Sequence, residues 1–227
     1  MRRSLATLER TVFDVVIIGG GITGACLAHD AALRGMTVAL VERDDFGGAT
    51  SAASSKILHG GIRYLQQIRF EKVRESARER GLLRRIAPHL VRWVPFLIPT
   101  ERTLSRGRWL LSSGMALYAL LGGDDESGDE VPVRSGSYLD RAALEREAPM
   151  LAAGGRFTGA IVLNECQLHS SERMTLAFLK TAVRHGAVVA NYVASEGLLR
   201  EGHRVVGGRA RDTGCGGEVR IRGRITL

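Results

Sequence analysis

The chain has 227 residues, of which 44% are hydrophobic and 25% charged, as in a water-soluble globular protein. It has no run of roughly 20 apolar residues, and the polar, basic first ten residues predict no secretory signal, so we expect a cytoplasmic protein. The net charge of +8 attracts anionic partners, but no nucleic-acid-binding motif accompanies it, and three scattered cysteines predict neither disulfides nor a zinc site.

A βαβ unit is predicted at the start of the chain. Residues 12–18 form a short apolar run rich in β-branched side chains, which predicts a buried parallel strand. Residues 22–34 have a helical pattern that ends at Gly35, and residues 37–42 predict a second buried strand.

The middle of the chain predicts a different organisation. Residues 46–61 form a loop rich in glycine and serine, and residues 62–86 predict one long helix. Three prolines after it predict broken, extended segments. Residues 109–121 predict an apolar helix, which we interpret as a buried core helix in preference to a membrane-docking one, and residues 124–130 predict an acidic loop.

The last third of the chain returns to alternating strands and helices. Residues 160–163 predict a strand, residues 171–185 a helix capped by Ser171, and residues 188–193 a third apolar strand. Glycine turns then separate alternating segments at 197–199, 205–210 and 219–221, which predict a small antiparallel meander, and residues 225–227 look like the beginning of another strand. We predict domain boundaries at 1–65, 66–155 and 156–227, the middle segment being a mostly helical insertion.

The turn after the first strand carries the fingerprint Gly-x-Gly-x-x-Gly. Its glycines permit the tight turn, the close approach of backbone to a diphosphate and the packing of the helix on the strand. Glu42, at the end of the second strand, can accept hydrogen bonds from ribose hydroxyls and would repel a 2′-phosphate, which disfavours NADP. FAD and NAD share this ADP portion, so the choice between them stays open here. The predicted nucleotide-binding residues are Gly19, Gly20, Gly21, Ile22, Thr23, Gly24, Glu42 and Arg43.

The loop that follows favours a phosphate-bearing cofactor, because it combines hydroxyls, glycines and one lysine. Its run at 54–65, Ser-Ser-Lys-Ile-Leu-His-Gly-Gly-Ile-Arg-Tyr-Leu, closely resembles the FAD-dependent glycerol-3-phosphate dehydrogenases. These enzymes belong to the broader group that includes D-amino-acid and glycine oxidases. The resemblance continues more loosely at 87–90, 169–174 and 186–193.

The resemblance implies an α/β fold: a Rossmann-like FAD-binding domain with a parallel sheet, an antiparallel meander and an insertion. It implies that FAD lies extended, with the loop from 50 to 61 wrapping its diphosphate and reaching the flavin. Arg63 and Tyr64 would face the substrate, and a guanidinium suits its phosphate. The further cofactor residues that it implies are Thr50, Ser51, Ser55, Lys56, His59, Gly60, Gly61 and Val193, and the catalytic group is His59, Arg63 and Tyr64.

The activity implied is transfer of a hydride from C2 of glycerol 3-phosphate to flavin N5, which gives dihydroxyacetone phosphate. Electrons would then pass to a membrane quinone or to oxygen, with peripheral attachment to the inner face of the cytoplasmic membrane. No metal is predicted, because the histidines lack metal-ligand spacing.

The chain departs from the family in two places. Ser170 and Ser171 stand where the family often has an acidic pair, and the chain covers under half of a family enzyme, so we expect a C-terminally truncated form. The alternatives are an FAD-dependent amine or amino-acid oxidase, a non-catalytic FAD-binding fragment and, disfavoured by the serine–lysine–histidine loop, an NAD-dependent dehydrogenase.

Overall fold

The computed structural model describes residue 1, residues 3–123 and residues 134–227. The acidic loop predicted at 124–130 lies outside the described residues. The chain forms two compact units. The first unit comprises Met1–Ser55 and Ser170–Leu227, and the second unit comprises Lys56–His169.

Helices and strands alternate along both units. The helices are α1 (Leu5–Arg10), α2 (Ile22–Leu33), α3 (Ile62–Leu65), α4 (Phe70–Ile86), α5 (Arg108–Tyr118), α6 (Arg141–Glu147), α7 (Pro149–Ala152) and α8 (Ser171–Arg184). The strands are β1 (Val12–Ile18), β2 (Val38–Val41), β3 (Ile57–Leu58), β4 (Val91–Thr100), β5 (Tyr138–Asp140), β6 (Gly159–Leu168), β7 (Val188–Ala190), β8 (Val193–Glu201), β9 (Arg204–Asp212) and β10 (Glu218–Thr226).

The first unit contains a mixed sheet in the order β7-β2-β1-β10-β9-β8. β7, β2, β1 and β10 are neighbours in this order and pair in parallel. β10, β9 and β8 continue the same sheet as an antiparallel meander. β10 pairs with β9 through residues 218–222 and with β1 through residues 222–226. The predicted segments at 219–221 and 225–227 are therefore one strand, and the predicted α/β fold with a parallel sheet and a meander is confirmed.

Alternation along the central strands places side chains on both faces of this sheet. Val15 and Ile17 pack with buried residues of α2 and α8, whereas Val16, which lies between them, packs in a second cluster with Leu8 of α1. The side of α2 that meets the sheet consists of small residues, so the helix lies close to β1; the buried ones are Gly24, Ala25, Ala28 and Ala32.

The second unit is organised around β6, which pairs antiparallel with β3, β4 and β5. The extended segments predicted around the prolines are one continuous strand, β4, which contains Pro95 and Pro99. β4 lies at an edge of the sheet, where a residue without an N–H group is tolerated. The two prolines are four residues apart, so both nitrogens face the same side of the strand, away from β6.

Three predicted boundaries were wrong for local backbone reasons. The helix predicted at 62–86 is two helices, because Ile68 adopts a left-handed conformation with φ of 57° between α3 and α4. Tyr192, with φ of 55°, likewise divides the strand predicted at 188–193 into β7 and the start of β8. The cap of α8 is Ser170, not Ser171, since the Ser170 hydroxyl accepts the Arg173 N–H at 3.1 Å.

One side of helix α5 is buried and the other is exposed, so the interpretation of α5 as a buried core helix holds for one side only. Met115 and Tyr118 are buried, but 79% of Trp109 and 57% of Leu110 are exposed. The helix ends at Tyr118 and continues into a wider turn, Ala119–Gly123. Among the described helices, none is long and apolar enough to cross a bilayer.

A buried carboxylate ties the N-terminal segment to the end of β9. Asp212 accepts hydrogen bonds from Arg3 at 2.6 Å, the Cys215 thiol at 3.1 Å and the Gly214 N–H at 2.8 Å. Hydrogen bonds from Arg3, then Cys215 and Gly214, hold the pKa of Asp212 far below its usual range. A depressed folded-state pKa stabilises the fold above the unfolded-state pKa of about 4, and this contribution is lost as the pH falls.

We therefore expect Asp212→Asn to lower the thermal midpoint at pH 7 and to reduce its fall between pH 5 and pH 3. The measurement is circular dichroism melting across that pH range. Asp44→Asn removes an exposed carboxylate of the same unit and is the matched control. Parallel curves for Asp212→Asn and the parent chain would remove this carboxylate from the acid response.

Candidate functional site

The turn between β1 and α2 is shaped by close backbone contacts. Gly19 has φ of +113°, a conformation that side chains rarely adopt. A Cβ on Gly24 would overlap the carbonyl oxygen of Gly19, and a Cβ on Gly20 would lie 2.6 Å from the Phe46 ring. Gly19 is thus required by its backbone conformation, and Gly24 by the close packing of α2 on the turn.

The N-terminus of α2 opens directly from this turn. Gly21 is its N-cap and adopts an extended conformation without a side-chain cap. The Ser51 hydroxyl accepts the Ile22 N–H at 2.9 Å, so the predicted cofactor loop already contacts the predicted helix terminus. First-turn N–H groups and the positive end of the helix dipole make such a terminus a binding site for a diphosphate.

Glu42 joins the strand end to the glycine turn. One of its carboxylate oxygens accepts the Gly20 N–H at 2.7 Å, and the other accepts the Asp44 N–H at 2.9 Å. A carboxylate oxygen has more than one acceptor position, so both can also receive ribose hydroxyls. The sequence predicted the ribose role of Glu42 but not its role in holding Gly20.

The other predicted residues of the first unit lie at the start of β8 and in the segment that follows β2. Val193 is buried, and its N–H donates to the carbonyl of Glu42 at 2.8 Å. Arg43 is exposed and pairs with Asp44 at 3.1 Å. Thr50 is exposed and lies one residue before Ser51. Ser55 is exposed and is the last residue of the segment Met1–Ser55.

Sequence reasoning missed a polar contact beside this site. The Tyr192 hydroxyl donates to Asp45 at 2.9 Å, and this hydrogen bond raises the pKa of the phenol. An open cavity of about 600 Å³ lies next to it, lined in part by Asp45, Phe46, Glu172 and Asn191. Tyr192 also has a left-handed backbone conformation, which is uncommon for a residue other than glycine.

The remaining predicted residues lie in the second unit. Lys56 has a left-handed φ of 59°, and non-glycine residues in that region cluster at functional sites. His59 is exposed, whereas Gly60 and Gly61 are buried. Gly61 has φ of +83° and begins α3, which carries Arg63 and Tyr64.

A cavity of about 340 Å³ lies beside this loop. His59 and Tyr64 line it together with residues of α4, and their ring centroids are 6.2 Å apart. Arg63 is exposed, and within the described part of the chain no hydrogen bond or ion pair engages it. The structure therefore brings His59 and Tyr64 together and leaves the guanidinium of Arg63 available to an anion.

The floor of this loop contains a buried ion pair that sequence reasoning missed. Arg80 Nη1 lies 2.8 Å from Glu165 Oε2, and the two side chains are 1% and 5% exposed. The sequence contained one signal for it, an acidic residue within the apolar run that follows residue 159. Such a residue is rarely buried without a partner.

The predicted site residues thus form one group in each unit. Residues 19–24, Glu42, Ser51 and Val193 are joined by contacts in the first unit, and residues 56–64 form the second group. Within the described residues, no group of three histidine, cysteine or acidic side chains could hold a metal ion. The first group fits a dinucleotide, because the α2 terminus has no side-chain cap and opens from a turn of glycines, where backbone N–H groups can approach a diphosphate.

Comparison with known proteins supports this interpretation. The sequence pattern of the family described as "FAD dependent oxidoreductase" matches residues 14–223. The chain is 42% identical over 95% of its length to a glycerol-3-phosphate dehydrogenase of Mycobacterium leprae, covering 35% of that protein. It is 36% identical over 98% of its length to the human mitochondrial glycerol-3-phosphate dehydrogenase, covering 31% of it.

A solved structure gives the same result. The glycerol-3-phosphate dehydrogenase of Bacillus halodurans complexed with FAD superposes with a TM-score of 0.72 at 25% identity, covering 98% of this chain and 35% of that one. The chain spans about a third of the length of these relatives. Because the family pattern covers nearly all of it, the chain belongs to the FAD-dependent oxidoreductase family.

Proposed function

We propose that this chain holds FAD for the oxidation of sn-glycerol 3-phosphate to dihydroxyacetone phosphate. The observation that carries the proposal is the 42% identity, over 95% of the chain, to a glycerol-3-phosphate dehydrogenase. The electron acceptor that we propose is a membrane quinone, with oxygen as the alternative.

The first unit supports the cofactor part of the proposal. The α2 terminus, with Gly21 and Ser51, would hold the diphosphate, and Glu42 would hold the adenosine ribose. Arg43 and Thr50 flank these residues and would contact the same cofactor. The buried backbone at Val193 closes the strand end beside Glu42.

The second unit supports the substrate part. Bound FAD would supply the acceptor for the hydride that leaves C2 of glycerol 3-phosphate. His59 lies beside Tyr64 and would take the proton of the C2 hydroxyl, since a histidine exchanges protons near neutral pH. Arg63 would bind the substrate phosphate, and Lys56 would contact the cofactor diphosphate.

Helix α5 supports peripheral attachment to the inner face of the cytoplasmic membrane. Its exposed Trp109 and Leu110 stand beside Arg106 and Arg108, and an apolar surface flanked by basic residues suits an anionic membrane interface. A quinone dissolved in that membrane would then be within reach of the enzyme.

The first test is a thermal unfolding scan of the chain with excess FAD, NAD or NADP. A ligand present at 100 times its Kd stabilises the native state by about 2.7 kcal/mol, so we expect FAD to raise the thermal midpoint by roughly 5–10 °C. NADP should give no shift, because Glu42 repels its 2′-phosphate. A shift with NAD and none with FAD would contradict the proposed cofactor.

A substrate panel tests the reaction class. In the presence of FAD and an artificial electron acceptor, we expect glycerol 3-phosphate to be oxidised, and glycine, proline and D-alanine not. Oxidation of the amino acids alone would favour the amine or amino-acid oxidase alternative. FAD binding without turnover of any substrate would identify the chain as a non-catalytic FAD-binding module.

A further inference from the structure

The loop at His59–Gly61 rests on a buried network of charged and polar groups. Glu165 Oε2 accepts the Gly60 N–H at 2.7 Å and the Arg80 guanidinium at 2.8 Å. Arg80 also donates to the Tyr118 hydroxyl at 3.2 Å and lies over the Trp93 ring, 5.3 Å from its centroid. Side chains of α4, α5, β4 and β6 are therefore linked through Arg80 and Glu165 to the backbone amide of Gly60.

The network also fixes what residue 60 can be. A Cβ on Gly60 would overlap Tyr118 Oη and lie 2.5 Å from Arg80 Nη1. The backbone of the loop thus lies directly on the side chains below it, where a larger residue has no room. Movement of Arg80 or Glu165 would reach Gly60 without an intervening group.

Packing alone does not require charged residues at this position. Burying two charges removes them from water, and replacing a buried ion pair with apolar residues of similar volume is often neutral or stabilising. Apolar residues cannot accept a hydrogen bond from Gly60, whereas Glu165 does. Apolar packing could therefore replace the pair in the core, but it could not replace the hydrogen bond that fixes the Gly60 amide.

We propose that Arg80 and Glu165 are positioning residues that hold Gly60, and through it His59 and Gly61, in the loop where the flavin and substrate bind. This inference rests on the proposed function. Neither residue need touch the cofactor or the substrate, since Glu165 acts through the Gly60 amide and Arg80 acts by fixing the orientation of the Glu165 carboxylate. Tyr118 supports Arg80 from α5.

The test is the double variant Arg80→Met/Glu165→Leu, because either single change would leave a buried unpaired charge and destabilise the fold. We expect hydrogen exchange of the peptide at 57–64 to become about tenfold faster, since the Gly60 amide loses its acceptor. We also expect the Kd for FAD to rise about tenfold, which corresponds to roughly one hydrogen bond, and the visible spectrum of the bound flavin to change.

The matched control is Glu101→Gln, which breaks ion pairs with Arg106 and Arg156 in the same unit without touching the loop. The control should leave the exchange rate at 57–64, the FAD affinity and the flavin spectrum unchanged. Unchanged exchange at 57–64 in the folded double variant would overturn the proposal. If the parent chain binds no FAD, the proposed function fails, and the exchange measurement alone decides whether the network holds Gly60.

Discussion

Gly24→Ala is expected to abolish FAD binding and to destabilise the first unit by about 3 kcal/mol, near the upper end of the usual cost of overpacking. The added Cβ would overlap the carbonyl oxygen of Gly19, which is backbone and cannot rotate away. Relief requires α2 to move away from β1, and this movement displaces the helix terminus from the position that a diphosphate needs. The thermal midpoint should fall by about 6–12 °C.

The control for this variant is Gly114→Ala. Gly114 lies in α5, and a Cβ there would meet nothing within 4 Å. Alanine is favoured over glycine in a helix interior by about 1 kcal/mol, so this substitution should be neutral or stabilising. We therefore expect a lower thermal midpoint and no FAD binding in Gly24→Ala, and an unchanged or higher midpoint with full FAD affinity in Gly114→Ala. Full FAD affinity in Gly24→Ala would show that the close approach of helix and strand is not needed for the cofactor.

The first βαβ unit is the part of the fold that sequence predicted best. β1 has the predicted bounds, Val12–Ile18, and α2 ends one residue before the predicted limit. The signals there are local: β-branched residues, a glycine turn, small residues at helical spacing and Gly35 at the helix end. Local signals of this kind need no knowledge of distant partners.

Predictions failed where a distant partner strand or an unannounced left-handed residue decides the structure. Pro95 and Pro99 indicate broken segments until β6 provides a partner on one side of β4 only. The left-handed residues Ile68 and Tyr192 have no glycine to announce them. The β4 prediction therefore failed because its partner strand lies far away in sequence, whereas the other two failed because a non-glycine residue adopts a left-handed conformation.

The same distinction applies to the candidate site. Glu42 and the fingerprint glycines form a short-range motif, and the structure joins them through the Gly20 N–H. Arg80 and Glu165 are separated by 85 residues, and in the sequence each looks like part of an unrelated segment. The residues proposed to bind ligand could thus be predicted from a motif, whereas the residues that hold them required the fold.

Arg63→Ala is expected to weaken binding of glycerol 3-phosphate by about tenfold to hundredfold. This range corresponds to the loss of about 1.5–3 kcal/mol, the usual contribution of hydrogen bonds to a charged group. The guanidinium is exposed on α3 close to Tyr64, and no described residue pairs with it, so its loss should leave the fold unchanged. Isothermal titration of the FAD-loaded chain measures the affinity, and glycerol, which lacks the phosphate, serves as the comparison ligand.

Two further variants separate recognition of the phosphate from general attraction. Arg63→Lys keeps the charge but loses the planar fork, so its affinity should lie between those of the parent chain and Arg63→Ala. Arg78→Ala removes an exposed positive charge from α4 in the same unit and should leave the affinity within about twofold, because charges on the surface are screened by salt. Equal losses in Arg63→Ala and Arg78→Ala would mean that net charge attracts the substrate. A loss confined to Arg63 variants, for glycerol 3-phosphate and not for glycerol, would show that this guanidinium binds the phosphate.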